Sequence, residues 1–212
     1  MITLSYSSLN LLHECPHNWL NKMMGIPQED KKFFQEGRES HRIIQEHVSG
    51  KKIDERLKHI EYKFPIVEKV DFDPDCKFSF KFGVRSTHEE YDLIGFFDGA
   101  NIEESRILEI KTSSSPWSIS KYMNSVQRKI EALATTGFKE SCLITGSRNP
   151  DDWKGDPPKV YMLPFTESDR KEAMEWVMEG IYILSSGDFT TDLVDGKCVD
   201  PRCYWGSSCQ FK

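Results

Sequence analysis

The apolar positions of the chain change period several times, and the changes mark out its elements. Between residues 33 and 49, Phe34, Gly37, His41, Ile44 and Val48 recur at alternating steps of three and four, the spacing of one helix face. Over residues 77–85 the period becomes two. Phe78, Phe80, Phe82 and Val84 alternate with Lys77, Ser79, Lys81 and Gly83, which predicts a half-buried strand. Two more strands are predicted at 91–100 and 106–112, joined by the polar turn Asn101–Ser105. The helical period returns over 117–136, with Ile119, Met123, Val126, Ile130 and Leu133 on an inner face. Strands follow at 140–146 and 159–165, separated by a Pro-, Gly- and Asp-rich loop at 147–158. Thr166 and Asp169 have the form of a capping box for a helix over 167–185. At the other end, Ser7 or Ser8 can cap a short helix carrying Leu9 and Leu12. Cys15-Pro16 breaks that helix, and Pro16 suits the first turn of a second one with Trp19, Leu20 and Met23. The order of helix, three strands, helix, two strands and helix predicts a mixed α/β domain.

Chemistry is concentrated in the middle of this pattern. Gly95-Phe96-Phe97-Asp98-Gly99 ends one predicted strand, and Ile107-Leu108-Glu109-Ile110-Lys111-Thr112 forms the next. Side chains alternate along a strand, so Glu109 and Lys111 share a face while Leu108 and Ile110 point into the core. If the two strands pair as a hairpin, Asp98 converges with Glu109. Two carboxylates and an ammonium on one patch oppose folding unless something compensates them, and a hard cation does so. Mg²⁺ or Mn²⁺ takes oxygen ligands and bridges to phosphate. Beside such an ion, Lys111 can orient or deprotonate an attacking water or stabilise the charge on phosphorus. The plain alternative is an exposed hairpin with a surface Glu/Lys pair. His41 lies on the apolar face of its helix, one turn after Gly37, which leaves room for something to approach. Its plain alternative is a hydrogen-bonded core histidine. Gln127 is either a phosphate contact or a solvated helix residue.

Length and composition narrow the class. At 212 residues the chain suits one domain with a terminal elaboration, and 38% hydrophobic with 29% charged residues is ordinary for a globular protein. No apolar run approaches the roughly 20 residues of a membrane span, and the start, Met1-Ile2-Thr3-Leu4-Ser5-Tyr6, has no signal-peptide pattern. A cytoplasmic location is therefore expected. Disulfides are disfavoured there, and the six cysteines need another explanation. The net charge of −6 weighs against strong non-specific DNA binding, although a local basic groove and bound metal can offset it. Cys198-x4-Cys203-x5-Cys209 lies in the loop-like tail, with Cys15 far upstream. Zinc sites usually show two close cysteine pairs, so a three-plus-one split fits zinc poorly. Cys76 and Cys142 fall in or beside predicted strands and read as core residues.

Taken together, Gly37-Arg38-Glu39-Ser40-His41, Gly95-Phe96-Phe97-Asp98, Glu109-Ile110-Lys111 and Gln127 resemble, in order, the motifs of the PD-(D/E)XK superfamily nucleases of the RecB-like branch. That branch includes the CRISPR-associated iron–sulfur exonuclease, AddB-type nuclease domains and phage recombination nucleases. Ser5-Tyr6-Ser7-Ser8-Leu9 followed by Cys15-Pro16 is similar to the family's start. The resemblance implies a restriction-endonuclease-like mixed sheet core flanked by helices, with a helical N-terminal and a cysteine-rich C-terminal elaboration. It implies one nuclease domain over 1–212, in which 1–30 and 186–212 together form an iron–sulfur subregion. It implies that His41, Asp98, Glu109 and the backbone carbonyl of Ile110 hold Mg²⁺ or Mn²⁺, with Asp98, Glu109 and Lys111 catalytic. Gln127, Arg128 and Tyr122 would contact DNA. Cys15, Cys198, Cys203 and Cys209 would hold a 4Fe–4S cluster, with Zn²⁺ as the alternative. One departure stands out: the tyrosine expected after Gln127 is Glu131, with Tyr122 one turn upstream of Gln127.

The activity so implied is metal-dependent hydrolysis of DNA phosphodiesters, as an exonuclease on single strands or ends, in recombination, repair, phage DNA processing or CRISPR adaptation. The acidic balance implies modest intrinsic affinity and delivery of substrate by a helicase, recombinase or single-strand-binding protein. Two rivals remain. One is a non-catalytic DNA-end-binding or scaffold subunit that keeps the fold; the other is a sequence-specific restriction endonuclease.

Overall fold

Nine strands and six helices follow one another among the described residues of the computed structural model, which are 2–26, 32–61, 77–84, 89–135, 137–187, 193–194 and 197–198. In chain order they are β1 (Ile2–Ser5), α1 (Tyr6–Glu14), α2 (Pro16–Met23), α3 (Lys32–Val48), β2 (Lys77–Val84), β3 (Glu89–Phe96), β4 (Gly99–Asn101), β5 (Arg106–Ser113), α4 (Ile119–Met123), α5 (Val126–Ala134), β6 (Glu140–Ser147), β7 (Lys159–Pro164) and α6 (Glu167–Ser186), with a short final pair β8 (Leu193–Val194) and β9 (Lys197–Cys198). The fold is mixed α/β. The main sheet has the order β4-β5-β6-β7, with β5 and β6 parallel and the outer pairs antiparallel. A second sheet, β1-β3-β2, pairs β1 parallel and β2 antiparallel to β3. None of the described helices is long and apolar enough to cross a membrane.

The main sheet is covered on both faces, and β5 shows how. Leu108 and Ile110 turn to one side, into a cluster with Ile44 and Val48 of α3, Cys142 and Ile144 of β6, and Trp153. Ile107 turns to the other side, where it meets Leu9 and Leu12 of α1, Ile130 and Leu133 of α5, and Val177 and Ile181 of α6. A parallel pair is normally buried in this way, because its connections lay helices across the sheet. Cys142 is a core residue, and burial pushes its thiol up to about 12. The capping box of Thr166 and Asp169 forms as the sequence predicts.

The structure departs from the sequence pattern in four places. Ile2–Ser5 forms β1, in register with Tyr91–Ile94, and four residues are too few for a period to be visible. Ser5, not Ser7 or Ser8, caps α1 by accepting from the Ser8 backbone N–H at 3.1 Å. The helix expected over 117–136 is two helices. Ser118 caps α4 and Ser125 caps α5, and Asn124 ends the first by the same local side-chain bonding that makes serine and asparagine poor mid-helix residues. Ile119 is 42% exposed as a result and does not face the core. The strand expected over 91–100 likewise divides at Phe97–Asp98, where the chain passes from one sheet to the other.

Candidate active site

That division puts Asp98 at the junction of the two sheets. Its N–H donates to the Leu108 carbonyl at 3.2 Å, and its Oδ2 accepts from the Ile110 N–H at 2.6 Å, so the side chain is fixed against β5. Its Oδ1 lies 3.0 Å from His41 Nε2. Among the bonds that hold the helix bearing His41 in place, two lie beside the site. Gln45 Nε2 donates to the Asp98 carbonyl at 3.1 Å, and Thr112 Oγ1 donates to the Gly37 carbonyl at 3.1 Å. A Cβ on Gly37 would meet only Thr112, at 3.8 Å, so the space beside His41 is open as the sequence implies.

Glu109 and Lys111 share a face of β5, as predicted, but Glu109 is 3% exposed. Its face is roofed by α5. Gln127 Nε2 donates to Glu109 Oε1 at 2.7 Å, Lys111 Nζ donates to Gln127 Oε1 at 2.6 Å, and Lys111 pairs directly with Glu109. The three side chains close a triangle in which every contact is charged or polar. Burial pushes the Glu109 carboxyl up against the opposing pull of Lys111. Burial alone would lower the Lys111 ammonium, yet Glu109, and then Asp98 and Glu131, hold it above the ordinary lysine value. Lys111 is therefore held as a charged group between Glu109 and Gln127. His41 follows the same logic: burial would lower it, but Asp98 and then Glu109 hold it above its ordinary value.

A groove of about 830 Å³ opens beside these groups. Arg38, His41 and Arg42 of α3 line one side, and Lys111, Trp117 and Arg148 line the other. Three arginines thus stand at the groove of a chain with a net charge of −6, with Arg42 paired to Glu39 and Glu46 and Arg148 to Glu36.

No protein-family model matches the chain, and no curated protein matches it in sequence. The fold is that of known structures. The crystal structure of SSO0001 superposes with a TM-score of 0.56 at 14% identity, covering 100% of this chain and 88% of that one. A crystal structure from Eubacterium rectale, provisionally assigned as an exonuclease, superposes with a TM-score of 0.52 at 11% identity, covering 88% of this chain and 82% of its own.

Two residues expected at DNA are placed elsewhere. Arg128 is 0% exposed; it donates to Asp169 Oδ1 at 2.7 Å and to the Pro164 carbonyl, and lies over the Phe165 ring. Tyr122 is also 0% exposed, and its hydroxyl donates to Glu131 Oε2 at 3.1 Å. Both are helix residues turned inward, so neither offers its polar group to a strand. Cys15 is buried between α1 and α2, and Cys198 lies on β9. Cys76, Cys203 and Cys209 lie outside the described residues.

The sequence marks Glu131 only as the absence of a tyrosine and not as a buried carboxyl. It is a buried carboxyl one helical turn after Gln127, and burial, followed by the charge of Glu109, pushes it well above the carboxylate range. The signal was present in the i, i+4 spacing of Gln127 and Glu131, which places both on one helix face.

Proposed function

We propose that this chain is a divalent-metal-dependent nuclease that hydrolyses DNA phosphodiester bonds on single strands or ends. One observation carries the reading. His41, Asp98, Glu109, Lys111 and Gln127, from four separate elements, converge beside a groove with an arginine lip. The fold shared with a protein assigned as an exonuclease adds to it.

The donor set fits a divalent cation in kind: an imidazole, two carboxyls and the Ile110 carbonyl suit Mn²⁺ or Mg²⁺. Among the described residues, no three histidine, cysteine, aspartate or glutamate side chains already form a ligand cluster. Asp98 is instead turned to His41, and Glu109 to Lys111 and Gln127, so a cation would compete with those contacts. When bound, such an ion supplies a water of lowered pKa and charge to offset that growing on phosphate. The protein's own part is positional. Lys111 holds a positive charge at the edge of the groove, and Gln127 fixes both Lys111 and Glu109. Arg38, Arg42 and Arg148 line the groove, where phosphates would compete with Glu39 and Glu46 for Arg42 and with Glu36 for Arg148. Four cysteines, Cys15, Cys198, Cys203 and Cys209, are proposed to hold a 4Fe–4S cluster. The sequence pattern supports this, together with the burial of Cys15.

End-labelled single- and double-stranded DNA, incubated with Mn²⁺ or Mg²⁺ and in EDTA, tests the activity. Cleavage is expected only with metal, and Asp98→Ala and Glu109→Ala should each abolish it, because either loss leaves the ion short of ligand and charge. Cleavage undiminished in excess EDTA would refute the metal. DNA binding without cleavage under any metal would favour the scaffold reading. The cluster is tested by colour and composition. Anaerobically purified protein should be brown and contain iron, and Cys198→Ala should be colourless and less stable to heat. A colourless wild type with one zinc per chain would replace the cluster with zinc.

A further inference from the structure

Trp117 is a neighbour of two lysines. Its ring centroid lies 4.2 Å from Lys121 Nζ and 5.4 Å from Lys111 Nζ. The local sequence builds this arrangement. Ser118 caps α4 by accepting from the Lys121 N–H at 3.1 Å, which fixes Lys121 in the first turn. Helical side chains lean toward the N-terminus, so Lys121 reaches back to the residue before the cap, Trp117. The Trp117 N–H donates to Thr145 Oγ1 at 2.8 Å, and Thr145 is the buried β6 residue in register with Lys111. The Trp117 side chain packs against the cluster of Tyr122, Leu143 and Leu163 and forms part of the groove wall. It is thus anchored beside Lys111 on one hand and carries Lys121 on the other.

Lys121 differs from the other cations at the groove. Arg42 is paired with Glu39 and Glu46, Arg148 with Glu36, and Lys111 with Glu109. Lys121 is exposed, and among the described residues no carboxylate pairs with it. Its neighbour is a neutral indole. An aromatic ring attracts an ammonium through its quadrupole, restraining it without cancelling its charge. The ammonium has three N–H donors, and the ring engages it from one side only, so donors remain for an oxygen ligand. A phosphate that meets Lys121 therefore displaces no carboxylate, whereas one that meets Arg42 or Arg148 must.

We propose that Lys121, held by Trp117, binds a backbone phosphate of the DNA strand next to the phosphate cleaved beside Lys111, and so sets the register of the strand in the groove. The proposal rests on the nuclease reading for its choice of ligand. Lys121 touches the strand, and Trp117 is a positioning residue that acts through it. The contact reads phosphate and not base, so it carries no sequence preference.

Anisotropy titrations of a short labelled single-stranded oligonucleotide in EDTA, over a range of salt, test binding apart from cleavage. Lys121→Gln should weaken binding and reduce the slope of log affinity against log salt by about 0.7, the share of one single-strand phosphate. Lys121→Arg should keep the slope. A second set of oligonucleotides carries one neutral methylphosphonate linkage at successive positions. In wild type one position should weaken binding by ~5-fold or more, the scale of a coupled contact. In Lys121→Gln the same position should cost nothing further, and Trp117→Leu should lose most of the positional effect. With Mn²⁺ or Mg²⁺, the product ends from Lys121→Gln should spread over more linkages than those of wild type. Unchanged affinity and slope in Lys121→Gln, equal weakening at every linkage, or no measurable binding would overturn the site. Cleavage with no coupled linkage would sink the phosphate site alone. A coupled linkage with no cleavage under either metal would sink the nuclease reading alone.

Discussion

Lys111→Ala is expected to lower DNA cleavage by ~10²-fold or more while leaving binding in place, the scale of losing one group that stabilises developing charge. The effect has two sources. The first is direct: Lys111 is a half-buried cation in the groove wall, and its ammonium is held charged by Glu109, Asp98 and Glu131. The second acts through Glu109. Burial already pushes that carboxyl up, and Lys111 is the largest influence pulling it down. Without the ammonium, Glu109 shifts further toward its protonated form and becomes a poorer ligand. The residual activity of the variant should therefore recover as pH rises and the carboxyl ionises, whereas wild type should not need the higher pH. Lys111→Arg should not restore the rate, because a planar guanidinium cannot take the compact place between Glu109 Oε1 and Gln127 Oε1. Rates under single-turnover conditions and binding by anisotropy, both across pH, separate these effects. A folded Lys111→Ala protein with near-normal turnover would remove Lys111 from the chemistry.

The site was legible in the sequence to the degree that its residues obey short-range periods. Glu109 and Lys111 are two apart on a strand, and their common face follows from the pleat alone. His41 shares a helix face with Ile44 and Val48, and that face does pack on β5. Asp98 was placed correctly near Glu109, but for an incomplete reason. The expected hairpin exists only as the three residues of β4, and the side chain is fixed by the Ile110 N–H at the seam of two sheets. A seam is a tertiary feature and leaves no period. The same limit explains Arg128 and Tyr122. Polar residues on an amphipathic helix read as solvated, yet Arg128 sits on α5, which α6 and the sheet cover, and Tyr122 on α4 packs against Leu143 and Leu163, so their polar ends find partners inside. Glu131 was noticed only as the absence of a tyrosine. Its burial beside Glu109 depends on β5 and α5 meeting, which neither segment announces alone.

The largest expected loss of stability comes from Asp169→Ala, at roughly 3–5 kcal/mol, the cost of leaving one member of a buried ion pair without its partner. Arg128 is wholly buried, and its guanidinium donates to Asp169 Oδ1 at 2.7 Å. The alanine variant strands that charge against Phe165 and the Pro164 carbonyl, which cannot neutralise it. It also removes the carboxylate half of the α6 capping box, because Asp169 Oδ2 accepts from both the N–H and the hydroxyl of Thr166 at 2.8 Å, while Thr166 Oγ1 still accepts from the backbone N–H of residue 169. Losing that half costs at most about 1 kcal/mol, and the two losses share one side chain and will not simply add. Against a typical net stability of about 5–15 kcal/mol, the variant is marginal. The effect should reach the active site, since Arg128 follows Gln127 on α5 and anchors the helix that fixes Lys111. The acid limb of stability provides a second readout. Burial by itself would raise the Asp169 carboxyl, but the hydrogen bonds from Thr166 and Arg128 outweigh it and hold the group below its ordinary value. A depressed carboxylate stabilises the fold above its unfolded pKa, and that stability is lost as pH falls through the folded value. Urea unfolding of wild type should therefore weaken progressively below about pH 4, and Asp169→Asn should show a shallower dependence there. The double variant Arg128→Met, Asp169→Ala should recover much of the loss at neutral pH, because it removes the stranded charge along with its partner. An Asp169→Ala protein within ~1 kcal/mol of wild type would place this pair with exposed ion pairs, which contribute little.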